Sequence, residues 1–233
     1  MDFSYLDRNV KSIREKIREA AASVNRDPES VLLMAAVKSA SPEEIDYIHE
    51  KLGICDIGEN RVQQLLDHWD KIDRTDLRVH FIGSLQTNKV KYIIDKVCLI
   101  HSLDSDKLAS EIDRQAKKHG IVMDVLTEIN SGEEENKGGV MPREAEGFCA
   151  GLAKYGNINL RGFMTMAPQG CSSEEYKAYF SKTYEMCGKI WRDILKKSGE
   201  PVFSMGMSAS FTEAIECGST LVRIGSDIFM PKH

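Results

Sequence analysis

Several signatures that would place this 233-residue chain in a specialised class are missing from it. Its six cysteines (55, 98, 149, 171, 187 and 217) include no CxxC, and its six histidines (49, 68, 80, 101, 119 and 233) form no HxH or HExxH. Zinc ligation and a redox dithiol therefore lack their usual spacing, and a disulfide framework does not suit a chain that is 42% hydrophobic. Six free thiols, mostly buried, are expected. The longest apolar run, Val31 to Val37, is far short of the roughly 20 residues needed to cross a bilayer. The opening MDFSYLDRNVKSIREK is too charged for a secretory signal, so a cytoplasmic home is expected. No basic run occurs, and 31 Lys and Arg against 36 Asp and Glu give a net charge of −5. That balance offers no electrostatic reason to bind nucleic acid or an anionic membrane, which leaves small molecules as the default partners. Nothing resembles a linker, so residues 1–233 read as one domain.

What is present is an alternation. Phe3, Leu6, Val10, Ile13, Ile17, Ala21 and Val24 recur in steps of three and four, the spacing of one buried helix face. VLLMAAV (31–37) then reads as a strand covered on both sides, running to Lys38, and Ser41-Pro42-Glu43-Glu44 as a capping box with proline at the first helical position. Further strand-like runs follow at 54–58, 78–83, 97–102, 122–130, 160–166, 202–206 and 221–225. Helical patterns separate them, among them Val62/Leu65/Leu66/Trp69, Val90/Ile93/Ile94 and Tyr176/Phe180/Thr183/Cys187. Eight strands alternating with helices predict an α/β fold, a single-domain (β/α)8 TIM barrel with an extra N-terminal helix; an open doubly wound sheet is the second choice. In such a barrel the chemistry sits at the C-terminal ends of the strands.

Three features fall at those ends. Lys38 shares a pleat face with Met34 and Ala36, so if that face is the barrel interior its amine points into the mouth. Desolvated there, it would have a lowered pKa and could form an imine; otherwise it is a solvated loop lysine. Ser208, after the seventh strand, and Gly225-Ser226, after the eighth, occupy the loops where barrels commonly bind phosphate, although Gly/Ser-rich turns are often only turns. Arg223 places a guanidinium on one face of a buried strand, which demands an acceptor: a carboxylate such as Asp227 or Glu128, or a ligand's ring nitrogen. Glu59, Asn60, His80, Gln86, Asn88 and Asn130 read as caps or satisfied core groups, and residues 133–139 as a loop able to cover the mouth. Met164, Met166, Met205 and Met207 read as core filler able to pack against a flat ligand.

AAVKSASPEEI around Lys38, GENRVQQL (58–65), HFIGSLQTNK (80–89), NSGEEENKGG (130–139), RGFMTMAP (161–168) and SMGMS with AI..GST.VRIG..IF (204–229) resemble the YggS/PROSC family of pyridoxal phosphate homeostasis proteins, which share the alanine racemase N-terminal barrel. The resemblance implies pyridoxal 5'-phosphate (PLP) held as a Schiff base on Lys38. It also implies the phosphate on Ser208, Gly225 and Ser226, Arg223 at the pyridine nitrogen, and Asn60 and Met164 lining the ring. Val79 before HFIG, Ala209-Ser210-Phe211 after SMGMS and Met230 after Ile228-Phe229 depart from the family pattern, which affects the rim and the phosphate-side helix but leaves Lys38 and Arg223 in place.

A PLP ring is a strong electron sink when its nitrogen is protonated against a carboxylate. An arginine there weakens the sink, and the racemase fold, as the resemblance implies, takes its second base from an added domain and a second subunit. The expectation is therefore a monomeric carrier that holds PLP without robust amino-acid turnover, with apo PLP-dependent enzymes as possible recipients. The rival is a stand-alone PLP racemase or lyase with His80 or Tyr47 as second base. A third reading is a cofactor-free aldolase-like barrel.

Overall fold

The computed structural model describes residues 2–134 and 136–231; Glu135 of the 133–139 loop and His233 at the end of the chain lie outside the described residues. Eight parallel strands close into a barrel in chain order: β1 (Leu32–Ala36), β2 (Asp56–Glu59), β3 (Arg78–Phe81), β4 (Leu99–Leu103), β5 (Met123–Ile129), β6 (Ile158–Thr165), β7 (Val202–Ser204) and β8 (Leu221–Ile224). The helices are α1 (Ser4–Ser23), α2 (Pro42–Glu50), α3 (Val62–Trp69), α4 (Asp106–His119), α5 (Ala145–Gly151), α6 (Ser173–Lys189), α7 (Phe211–Glu216) and α8 (Ser226–Phe229). The expected barrel with its extra leading helix is what the chain forms.

The strands are apolar on both faces because both faces are covered. Ala35, Ile57, Val222 and Ile224 point outward into the large cluster under the helices. Alternate residues point inward, where Met34, Ile82 and Leu221 form one cluster and Leu99, Leu126 and Met164 another. Each such side chain contributes about 1.5–3 kcal/mol when it leaves water. Met34 pairs with Arg223 across β1 and β8, which sets these two strands at a common height.

Leu6, Val10, Ile13, Ile17 and Ala21 are buried along α1, as their spacing predicts. Asn9 lies on the same face, and its amide donates to the carbonyls of Ile228 (2.9 Å) and Met230 (3.0 Å), pinning α1 to the other end of the chain. The capping box forms at Ser41, with Glu44 N donating to Ser41 Oγ at 3.3 Å and Ser41 N to Glu44 Oε2 at 2.7 Å.

Three expectations are corrected. The Val90/Ile93/Ile94 segment has no side-chain acceptor at its start and winds as a 3-10 turn over Thr87–Tyr92. β1 stops at Ala36, so Lys38 sits in the turn beyond it. Of the six cysteines, Cys149 and Cys187 are buried, three are half-buried, and Cys98 is exposed.

Gly83, just past β3, lies against the backbone of Asn60: a Cβ there would stand 2.0 Å from the Asn60 carbonyl oxygen. Backbone cannot yield to such a contact as a flexible side-chain tip can. Gly147, within α5, has nothing within 4 Å of the same position. Gly83→Ala should therefore cost about 2–3 kcal/mol, read as a fall of about 5–10 °C in melting temperature. Gly147→Ala should stabilise by about 0.5–1 kcal/mol. Equal effects of the two substitutions on melting temperature would contradict this packing.

Candidate cofactor site

At the C-terminal ends of the strands lies a cavity of about 410 Å³ whose walls include Lys38, Asn60, Ser208, Arg223, Gly225 and Ser226. A larger depression of about 590 Å³ opens beside Arg14, Arg18, Cys55 and Arg78, and none of the residues expected to bind the cofactor lines it.

Lys38 reaches the cavity from the turn after β1, above Ala36, which also lines it. Its carbonyl accepts from Gln64 Nε2 of α3 at 2.8 Å, so the backbone is held while the side chain stays exposed at the rim. Of the two readings left open for this side chain, its exposure matches the solvated one, because the strand ends too early to carry it inward.

Arg223, on β8, is only 4% exposed. Its Nη1 donates to the carbonyl oxygen (2.6 Å) and hydroxyl (2.7 Å) of Ser204 on β7, and its Nη2 to the Thr165 carbonyl on β6 (3.0 Å). Burial lowers its pKa to about 10, with the charge of Glu128 pushing back, so it remains a cation at neutral pH. Glu128, raised above as a possible ion-pair partner, acts only through space, and the hydrogen bonds run to neutral oxygens.

Between the last two strands the loops are laced together. Gly206 adopts φ +91°, a region closed to most side chains, and a Cβ would stand 2.7 Å from that of Ala214; its carbonyl accepts from Arg223 N at 3.0 Å. Ser208 Oγ accepts from Asp227 N at 3.3 Å, joining the loop after β7 to the start of α8. A Cβ on Gly225 would lie 3.0 Å from the Ala36 carbonyl, so the cavity wall there is bare backbone.

The residues fit a flat, anionic cofactor. Asn60 Oδ1 is a buried acceptor with no hydrogen-bond partner among the described residues, on a side chain that lines the cavity, and such an atom calls for a donor from elsewhere. Serine hydroxyls and a glycine wall supply the other side.

Met164 is placed differently from expectation. It packs in the interior with Leu99 and Leu126, and Met166, one pleat further along the chain and 44% exposed, lines the cavity together with Met207. Tyr176 of α6 also lines it; its helical spacing made it look like core, and no sequence signal marked it. His80 and Tyr47 are bonded elsewhere, His80 to Asp56 (2.9 Å) in the interior and Tyr47 to Asp7 (2.9 Å) outside the barrel. Glu59 pairs with His68 of α3 at 2.7 Å. Asn130 Nδ2 donates to the carbonyl of Glu134 (2.9 Å) and its Oδ1 accepts from Glu134 N (3.1 Å), which folds the loop after β5.

Residues 7–233 match the alanine racemase N-terminal domain family. A pyridoxal phosphate homeostasis protein of Aquifex aeolicus is 41% identical over 220 residues, covering 94% of this chain and 95% of that one. The chain belongs to this family. Within it, the Escherichia coli K12 pyridoxal phosphate homeostasis protein is 32% identical over 229 residues, covering 95% and 94% of the two chains. Among solved structures, PipY of Synechococcus elongatus PCC7942 with PLP bound is 28% identical, with a TM-score of 0.80, covering 91% of this chain and 99% of that one. Alanine racemase of Clostridium difficile 630 shares the fold at 18% identity and a TM-score of 0.75, with 56% of its length covered.

Glu128, on β5, completes the surroundings. Burial, with the nearby charge of Asp104, raises its carboxyl to about 7, and Arg223 pulls the other way. Below the ordinary glutamate value of 4.5 the group is neutral folded or unfolded and costs nothing; as pH rises through about 7 the fold takes on the penalty of ionising it. That penalty amounts to about 3 kcal/mol. Glu128→Gln should thus raise the melting temperature at about pH 8.5 and leave it nearly unchanged at about pH 4; a difference independent of pH would refute the placement.

Proposed function

We propose that this chain is a cytoplasmic, monomeric carrier of pyridoxal 5'-phosphate that holds the cofactor on Lys38 and passes it to apo PLP-dependent enzymes, without robust amino-acid turnover. The observation that carries the reading is the convergence of Lys38, Arg223 and the Ser208/Gly225/Ser226 loops on one cavity. The family names of its relatives and the PLP-bound neighbour support it. Consistent with a soluble carrier, no helix among the described residues is long and apolar enough to cross a membrane.

In this site the Lys38 amine would hold the cofactor covalently at its aldehyde carbon. The hydroxyl of Ser208 and the backbone at Gly225 and Ser226 would hold the phosphate, and Asn60 and Met166 would border the ring. Bound PLP supplies an electrophilic carbon and a conjugated ring able to accept electrons. Arg223 faces that ring with donors only, so it favours an unprotonated nitrogen and a weak electron sink.

An amino-acid racemase or lyase needs a second base across the ring from the lysine. Neither His80 nor Tyr47 lines the cavity, and Tyr176 is the residue that a catalytic reading would have to recruit. Loss of the α-deuterium from labelled amino acids, dependent on both Lys38 and Tyr176, would favour the enzyme over the carrier.

Borohydride reduction of the PLP-loaded protein should add one pyridoxyl phosphate mass, mapped to Lys38. Lys38→Ala should lose both that adduct and the imine absorbance while retaining weak, phosphate-driven binding. An adduct on another lysine, or none on the wild type, would overturn the assignment. Arg223→Glu should weaken PLP binding at least about tenfold, since a hydrogen bond from a charged donor contributes about 1.5–3 kcal/mol, and an unchanged affinity and spectrum would remove Arg223 from the ring.

A further inference from the structure

The barrel interior holds a row of buried polar side chains, met at its outer end by the exposed Arg78, for which a simple apolar core has no use. Arg78 Nε donates to Asp56 Oδ1 at 2.7 Å; Asp56 Oδ1 lies 2.9 Å from His80 Nε2; His80 Nδ1 lies 3.0 Å from His101 Nε2; and His101 Nδ1 lies 3.0 Å from Ser204 Oγ. Ser204 Oγ in turn accepts from Arg223 Nη1 at 2.7 Å. The row thus runs from an opening of about 400 Å³ at the N-terminal end of the barrel, lined by Asp56, Arg78 and His80, to the arginine in the cofactor cavity.

Donor and acceptor rules fix its direction. Burial opposes ionisation of Asp56, but the hydrogen bonds from His80 and Arg78 outweigh it and lower the pKa, so Asp56 is a carboxylate and accepts. His80 Nε2 must then carry hydrogen. His101 is held neutral by burial first, with the charge of Arg223 and, whenever it is charged, that of His80 acting in the same direction. When His80 is neutral as well, its Nδ1 is bare and accepts from His101 Nε2–H, and His101 Nδ1 accepts from the Ser204 hydroxyl. Every bond points from Arg223 toward Asp56, and the Ser204 oxygen, donating its own hydrogen, is a better acceptor for the arginine.

We propose that Ser204, His101, His80 and Asp56 are positioning residues for Arg223, forming one hydrogen-bonded chain whose two middle links, His80–His101 and His101–Ser204, reverse when His80 takes a second proton. A doubly protonated His80 donates from both nitrogens, through Nε2 to Asp56 and through Nδ1 to His101 Nε2. His101 must then carry its hydrogen on Nδ1 and donate to Ser204 Oγ. That oxygen now accepts from two donors and binds Arg223 less well, so the guanidinium is freer to donate to a ring nitrogen. One proton is gained overall from solvent: His101 passes its Nε2 hydrogen to His80 Nδ1 and takes the Ser204 hydroxyl hydrogen on its own Nδ1, and the incoming proton restores that hydroxyl, so only N–H and O–H bonds change.

The groups facing the chain are Asp124 of β5 and Arg161 of β6, which line the same opening, Cys98 before β4, and Glu128, whose charge acts on Arg223. The coupling to PLP rests on the cofactor reading given above; the reversal itself does not.

Histidine 15N NMR of the ligand-free protein across pH tests the chain. His101 should stay neutral throughout and move its hydrogen from Nε2 to Nδ1 in step with the charging of His80. A His101 that keeps one tautomer while His80 titrates, or that charges itself, overturns the proposal. The visible band of bound PLP should shift over the same pH interval. Ser204→Ala keeps the backbone carbonyl that also holds Arg223, so it should preserve the His80 titration but lose the shift of the PLP band, and Ser204→Thr should restore it. A band that still shifts in Ser204→Ala overturns the coupling. A wild type that takes up no PLP overturns the functional reading alone, and the NMR result then decides the chain.

Discussion

The constraint on which the site depends is a guanidinium sealed inside a barrel. Removing such a cation from water costs several kcal/mol unless its donors find acceptors. Here the acceptors are the Ser204 carbonyl and hydroxyl and the Thr165 carbonyl, offered by the ends of β7 and β6. Thr165 Oγ1 donates in turn to the Ile129 carbonyl of β5 at 2.9 Å. Four consecutive strand ends are therefore tied through one arginine and its neighbours. None can drift without leaving a buried donor unpaired, and the cavity floor inherits that rigidity.

This arrangement also explains why the inner core is divided. Met34, Ile82 and Leu221 pack as one group, and Leu99, Leu126 and Met164 as another, while the inward residues His80, His101 and Ser204 carry the hydrogen-bonded chain. A barrel filled by aliphatic layers would have been simpler to stabilise. A satisfied polar chain gives up some of that burial for defined directions, since the protonation of each member sets which neighbour donates and which accepts.

Much of the architecture was legible because both faces of each strand are covered, which makes the apolar runs continuous and their alternation with helices plain. Lys38, Arg223 and the Ser208/Gly225/Ser226 loops were legible for a related reason: barrel closure brings strand ends to one rim, so a residue's place along its strand already says where it will be. What escaped was set by height and distance across the barrel. His80 and Asp56 are 24 positions apart in the chain, and His101 and Ser204 are 103 apart, so nothing local connects them. Met166 and not Met164 reaches the cavity because one step of pleat separates rim from interior, and spacing alone puts both on the same face. Tyr176 hid in a helical pattern that fits a core residue equally well.

A site that holds a cofactor and one that drives chemistry on it ask different things of the same residues. Turnover wants the ring nitrogen protonated, the lysine shielded from water and a second base opposite. Here Arg223 is a buried donor that stays cationic at neutral pH and has no proton acceptor to offer. Lys38 is exposed at the rim, its backbone clamped by Gln64 but its amine within reach of solvent and of other amines. On the reading proposed above, an imine at such a position would be open to hydrolysis or exchange from outside, while the loops at Ser208, Gly225 and Ser226, with Asn60, would hold the rest of the cofactor. Easy exchange at the carbon combined with a firm grip on the ring and phosphate would suit the proposed carrier, which must both retain a reactive aldehyde and surrender it, better than it would suit stabilising a carbanion.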